Sequence, residues 1–237
     1  MAEFNELWPG GPLFAQAEHF KMGTDCVLLA DFVNAAGVKK GIDLGCASGA
    51  IALLLLEKND RLSMTGLEID SGAAELAAEN MKINSLQQRS SVICGDIRHH
   101  RELFPCGSFD FAVSNPPYFP LGSGKLSPDR ARAAARGETE CSLHDICTAA
   151  AWLLPTGGSF FMVHKPERLS EVFCTMSGLG IEPKRLRFVC CNAQKAPSLV
   201  LIEGRRGGRP GLRTEPVLFL TEPDGSESAE IKRIYHR

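Results

Sequence analysis

Short apolar runs alternate with longer segments of helical character through most of this chain, and that alternation constrains the fold more than any other feature. Lys40 to Leu44, Ser63 to Ile69, Ser91 to Cys94, Phe109 to Ser114 and Ser159 to Val163 read as strands. Ala50 to Glu57, the alanine-rich Ser71 to Ile83, a stretch from about Ser142 to Leu154, and Glu167 to Leu179 read as the helices between them. Strands and helices alternating at this spacing predict an open α/β fold: a doubly wound, mostly parallel sheet with helices on both faces and right-handed crossovers. Lys184 to Cys191 and Ser198 to Glu203 have no helix between them, so they are expected to form an antiparallel hairpin near the C-terminus, followed by a strand at Val217 to Leu220.

The residues before the first strand read as an extended arm, rich in Pro and Gly around Trp8. A helix is expected to be capped by Thr24 and to run to Gly37. One domain is expected over 1–237, with an N-terminal arm and helix at 1–37 and a catalytic core at 38–237. Leu121 to Gly137 and Gly204 to Pro216, rich in Gly, Pro or Arg, are the expected loose segments.

A 237-residue chain, 44% hydrophobic and 23% charged, is long enough for one sizeable core and too apolar for general disorder. Nine cysteines form no Cys-x-x-Cys pair, and no apolar leader is visible before Pro12. The reading is a reduced, cytoplasmic protein without a bound metal. The longest apolar run, Ile51 to Leu56, is too short for a membrane span. His99, His100, His144 and His164 lack metal-ligand spacing and are expected at the surface or satisfied in the core. Oligomeric state is left open.

Ligands of such sheets bind beyond the carboxyl ends of the strands. The first strand runs into Asp43-Leu44-Gly45-Cys46-Ala47-Ser48-Gly49. Its small residues let a ligand approach the backbone, and the next helix offers free N–H groups. It lacks the Lys-Ser/Thr ending of a phosphate loop. It resembles the first motif of the class I S-adenosylmethionine methyltransferases, which implies a Rossmann-like fold with S-adenosyl-L-methionine as cofactor. Ala47 stands where that motif has its middle glycine. The resemblance implies cofactor contacts from Asp43, Gly45, Ala47 and Gly49. At the second strand end, Glu68 suits two ribose hydroxyls because a carboxylate accepts two bonds, and Asp70 suits a helix cap. At the third, Asp96 stands where this class places an acid for the adenine amine. Ile69 and Ile97, which follow those acids, are counted with the cofactor set.

The fourth strand ends in Asn115-Pro116-Pro117-Tyr118. This resembles the motif of methyltransferases acting on planar amines: adenine N6, cytosine N4, guanine N2 and protein glutamine N5. The chemistry suits the residues. A conjugated amine is a poor nucleophile, and it needs both hydrogens held and its lone pair turned to the methyl donor. The Asn115 oxygen can accept one hydrogen and the Pro116 carbonyl the other. The prolines fix that carbonyl in place, and Tyr118 offers a face for a base. The base itself must be out of its stack.

Phe20-Lys21-Met22-Gly23-Thr24-Asp25, followed by Leu28-Leu29, is similar to a segment of the bacterial tRNA(Val) adenine-N6 methyltransferase family, and the resemblance extends roughly from Phe20 to Leu220. It implies N6-methylation of a tRNA adenine next to the anticodon, with Thr24 and Asp25 near the cofactor's amino-acid end. Net charge is −2, yet basic residues cluster between Lys184 and Arg213, including Arg205, Arg206 and Arg209. Lys125, Arg130, Arg132 and Arg136 follow Tyr118. These are the expected RNA contacts. Three other readings stay open: a protein glutamine N5 enzyme, an rRNA guanine N2 enzyme, and a non-catalytic cofactor-binding RNA binder.

Overall fold

The computed structural model describes residues 3–16, 22–34, 37–118 and 141–237. A short hairpin, β1 (Asn5–Glu6) and β2 (Leu13–Phe14), precedes α1 (Thr24–Phe32). The centre is β3 (Lys40–Leu44), α2 (Ala50–Lys58), β4 (Ser63–Glu68), α3 (Ser71–Ile83), β5 (Ser90–Cys94), a 3-10 turn (Ile97–His99) leading into α4 (His100–Leu103), and β6 (Phe111–Ser114). Then come α5 (Leu143–Leu153), β7 (Ser159–His164), a 3-10 turn (Pro166–Arg168), α6 (Leu169–Gly178), β8 (Ile181–Cys190), β9 (Leu199–Arg206), β10 (Arg213–Thr214), β11 (Leu218–Phe219) and α7 (Ala229–Ile234).

The strands of the main sheet lie in the order β10, β8, β9, β7, β6, β3, β4, β5, with β11 also pairing with β8. The pairings among β5, β4, β3, β6 and β7 are all parallel. β9 is antiparallel to both β7 and β8, as the hairpin pattern predicts. From β3 the chain moves outward to β4 and β5, then returns to place β6 on the other side of β3. Such a reversal opens a crevice beyond the carboxyl ends of the two strands.

Side chains alternate across the sheet with period two. Phe111, Val113, Phe161, Val163, Leu199 and Leu201 pack with residues of α1, α2 and α7. Ala112, Phe160, Met162, Val200 and Ile202 pack with α5 and α6 on the opposite face. Ser142 caps α5 in a reciprocal box with Asp145, and Asp70 caps α3 through the Ala73 N–H.

Four local features were not foreseen from the sequence. α1 is capped by Gly23, not Thr24, with no side-chain cap bond, and it ends at Phe32. The expected loose segment after Gly204 contains the end of β9 and all of β10. The arm is docked by two asparagines: the fully buried Asn80 bonds both Ala15 backbone groups at 2.8 Å, and Asn84 bonds both Leu13 groups. The C-terminal α7 was not legible as a helix. Arg187–Glu230 and Arg233–Asp31 pairs, each bidentate, fasten it to β8 and α1.

Candidate functional site

The turn after β3 is held by the end of β4. Gly45 and Cys46 donate N–H groups to the Leu67 carbonyl, and Ala47 donates to Glu68 Oε2 at 2.8 Å. Gly45, Ala47 and Gly49 all have positive φ, at 78°, 46° and 82°. Alanine is strained there, and the Glu68 bond helps to hold its backbone in that conformation. At Gly49 a Cβ would lie tightly at 3.1 Å from Met81 Cε and 3.2 Å from Ala77 Cβ, and the φ of 82° favours glycine there in any case. Asn80 Nδ2 also donates to the Ser48 carbonyl, tying the turn to α3.

Glu68 is 6% exposed, and its second oxygen accepts the Asp70 N–H at 2.9 Å. Both oxygens therefore shape backbone at the strand end and keep further lone pairs. Ile69 beside it is exposed, whereas Ile97 is buried in the α5–α6 core. Asp96 accepts the Arg98 N–H and is gripped by the Arg98 guanidinium, which holds its carboxyl below the usual carboxylate range.

Asp43 is completely buried, and neither of its oxygens has a hydrogen-bond partner among the described residues. Burial, then the neighbouring Glu68, pushes its carboxyl up to about 8; the Ala52 N–H opposes this without closing a hydrogen bond. An unfolded chain releases that proton near pH 4. Between the two values the folded state holds the extra proton. Stability is therefore greatest below the unfolded value and falls as pH rises to about 8, by at most about 1.4 kcal/mol per pH unit. Asp43→Asn is expected to flatten this slope in urea titrations between about pH 5 and 7.5. An unchanged slope would show that the fold holds Asp43 ionised.

β6 delivers the second turn next to the first. Asp43 pairs with Val113, and the Ser114 hydroxyl donates to the Leu44 carbonyl at 2.7 Å. Asn115 is half-buried, Pro116 buried and Pro117 exposed. Asn115 Nδ2 donates to Cys26 Sγ at 3.2 Å, and its Oδ1 lies 3.0 Å from the Tyr118 hydroxyl. That hydroxyl lies 2.5 Å from Asp25 Oδ2. Burial and the Asp25 charge push the Tyr118 phenol well above its ordinary value. Asp25 and Cys26 therefore meet the Asn-Pro-Pro-Tyr turn, while Thr24 is exposed with no cap bond.

Several neighbours of Tyr118 escaped the sequence reading. Arg168 donates to the Tyr118 carbonyl at 2.8 Å, and Lys165 Nζ lies 5.0 Å from the ring centroid. The His164 ring meets it edge-on at 5.7 Å. His164 is neither exposed nor satisfied: Nδ1 accepts the Lys165 N–H, Nε2 has no partner among the described residues, and burial lowers its pKa to about 4. Cys26 directly follows the Gly23-Thr24-Asp25 segment, which was its one visible signal. Arg168 had none.

The arginines after Glu203 that were expected to flank this site do not. Arg205 pairs with Ser159 at the start of β7, and Arg206 pairs with Ile181. They and Arg209 therefore lie toward the end of the sheet opposite Asn115. Arg206 donates to the carbonyls of Ala151, Leu179 and Gly180, locking the ends of α5 and α6 to β9. Arg205 is exposed and 3.9 Å from Glu203, and Arg209 is exposed, its carbonyl accepting from Lys184. Lys125, Arg130, Arg132 and Arg136 lie outside the described residues. Arg206→Ala is expected to cost about 2 kcal/mol in urea unfolding, since it orphans carbonyls bound by a charged donor. The substitution should leave RNA affinity of the folded protein unchanged, and a binding loss without a stability loss would contradict this.

A parallel sheet closed by an antiparallel strand, with a glycine turn after β3 beside an Asn-Pro-Pro-Tyr turn after β6, defines a methyltransferase of the Rossmann-like class. Residues 13–177 match the model of the family described as methyltransferase small domain, and the chain belongs to that family. Among its members it groups with the tRNA1(Val) (adenine(37)-N6)-methyltransferases. It is 31% identical to the one from Tolumonas auensis, over 89% of this chain and 86% of the relative. It is 33% identical to the one from Cronobacter sakazakii, over 77% and 74%. In structure it is similar to a protein of Agrobacterium tumefaciens described as a predicted O-methyltransferase, with TM-score 0.73, 16% identity and coverage of 90% and 96%. It is also similar to TrmN from Thermus thermophilus, with TM-score 0.54, 17% identity and coverage of 76% and 48%. At those identities the structural likeness speaks for the fold.

Proposed function

We propose that this chain transfers a methyl group from S-adenosyl-L-methionine to the N6 amine of a tRNA adenine. The observation that carries the reading is the juxtaposition of the two turns, joined by the Ser114–Leu44 hydrogen bond at the crevice. The names of the relatives, with their tRNA1(Val) adenine, support the acceptor.

The residues fit the cofactor. Asp43 holds a buried, unpartnered carboxyl at the end of β3, beneath the turn, and the positive φ angles of Gly45, Ala47 and Gly49 turn the backbone there so that a ligand can approach it. In this reading Glu68 takes the ribose hydroxyls, and Asp96 takes the adenine amine once it shares its oxygens with Arg98. Ile69 supplies exposed apolar surface beside them. The cofactor supplies a methyl group on a sulfonium, which needs no metal to be electrophilic.

The chain's own work is to present the amine. Asn115 Oδ1 accepts one amine hydrogen and the Pro116 carbonyl the other, which turns the nitrogen lone pair toward the methyl group. No strong base is required, because the amine hydrogens become acidic as charge builds on nitrogen. The whole chain acts as one methyltransferase unit, with an N-terminal arm and helix at 1–37 before the catalytic core, and the reaction belongs to the cytoplasm. Among the described residues no helix is long and apolar enough to cross a membrane.

The adenine next to the anticodon is the proposed target. An unmodified valine tRNA transcript should accept a methyl group, and the same transcript with guanine at that position should accept none. Equal labelling of both would overturn the assignment.

A further inference from the structure

The Tyr118 hydroxyl has one proton and faces two acceptors. Asp25 Oδ2 is 2.5 Å away and Asn115 Oδ1 is 3.0 Å away. The shorter contact, to a carboxylate, is the stronger hydrogen bond. The carboxylate is itself fixed: Oδ1 accepts the Cys26 N–H at 2.9 Å, which leaves Oδ2 facing Tyr118. Gly23 makes room for this fold-back, since a Cβ there would fall 2.4 Å from Asp25 Oδ1. Cys26 fixes the other partner. Asn115 Nδ2 donates to its sulfur, so the amide nitrogen faces α1 and the amide oxygen faces Tyr118.

We infer that Asp25 is a positioning residue for methyl transfer: by taking the Tyr118 hydroxyl proton, it keeps the Asn115 carbonyl oxygen uncapped and ready to accept the amine hydrogen. The inference rests on the reading of Asn115 as the amine acceptor. Without Asp25, the hydroxyl turns to Asn115 Oδ1, and an amine arriving there must displace a hydrogen bond already made. Asp25 thus acts through Tyr118. This differs from the cofactor contact that the sequence resemblance implies for it.

The test combines two substitutions and two readouts. Asp25→Ala is expected to slow single-turnover methyl transfer about 30-fold, in the range of one misdirected hydrogen bond at a reacting centre. Its cofactor Kd should stay within about twofold of the parent. Asp25→Ala/Tyr118→Phe removes the misdirected proton and should recover at least about fivefold of that loss. A double variant no faster than Asp25→Ala overturns the inference. So does an Asp25→Ala rate restored by saturating cofactor, which would make Asp25 a cofactor contact.

The second readout needs no acceptor. The chain has two tyrosines, so ultraviolet titration of the parent and of Tyr118→Phe isolates Tyr118. Asp25, Cys26, His164 and Lys165 are the titratable groups that face it. Asp25→Ala should let Tyr118 ionise at lower pH, and an unchanged titration overturns the link. If the parent protein methylates no RNA, the functional reading fails while this titration still decides the Asp25–Tyr118 link.

Discussion

Replacing Asn115 with alanine is expected to lower the rate of methyl transfer about a thousandfold, near 4 kcal/mol of lost transition-state stabilisation. The size follows from the chemistry. The amine lone pair is conjugated into the base, and the Asn115 oxygen is the group that draws one hydrogen aside and favours pyramidal nitrogen. The substitution also frees the Tyr118 hydroxyl and Cys26 Sγ, both of which contact the Asn115 amide. Each is a weaker acceptor than an amide carbonyl, and each is fixed where it met the Asn115 side chain, the hydroxyl by its bond to Asp25. Cofactor affinity should stay within about twofold, because the Gly45 to Gly49 turn takes its bonds from Leu67 and Glu68. Equilibrium dialysis with single-turnover kinetics separates the two quantities. Full activity in Asn115→Ala would remove this mechanism.

Glu68→Ala should act on the other half of the site. Its carboxylate accepts the N–H groups of Ala47 and Asp70, and it is nearly buried. Alanine leaves both donors without that partner and leaves Ala47 at its positive φ of 46° without the Glu68 bond. Cofactor Kd is expected to rise about a hundredfold, roughly 2.7 kcal/mol, from the ribose contact and the loosened turn together. Stability should fall by about 1–3 kcal/mol for the orphaned N–H groups. Glu68→Gln retains one acceptor oxygen and should fall between the parent and Glu68→Ala in both measurements. Unchanged affinity in Glu68→Ala would place the ribose elsewhere.

Much of this fold is legible from local pattern because its central strands are buried on both faces. β3 and α3 begin and end where apolar continuity and the Asp70 cap place them. The glycine turn and the Asn-Pro-Pro-Tyr turn are legible because each requires residue types that few other structures use at a strand end. What the chain conceals lies in long-range hydrogen bonds. Gly23 caps α1 in place of Thr24, and Asp25 in its first turn bonds Tyr118, 93 positions away. The arm docks through Asn80 and Asn84, which look like ordinary surface positions of an alanine-rich helix. The arginines after Glu203 read as an RNA surface because charge in a sequence carries no record of its partners. The register of β9 sends them to the far end of the sheet, and Arg206 is used in packing. α7 is too short for its periodicity to stand out, and two arginine–carboxylate pairs fasten it.

The central claim is that the two adjoining turns methylate an adenine amine in tRNA. Its most direct test is to incubate the purified protein with methyl-labelled S-adenosyl-L-methionine and total tRNA from a strain lacking the gene, then digest the RNA and identify the labelled nucleoside. The account predicts labelled N6-methyladenosine. Label in N2-methylguanosine or in protein, or none at all from a protein that binds the cofactor, would contradict it.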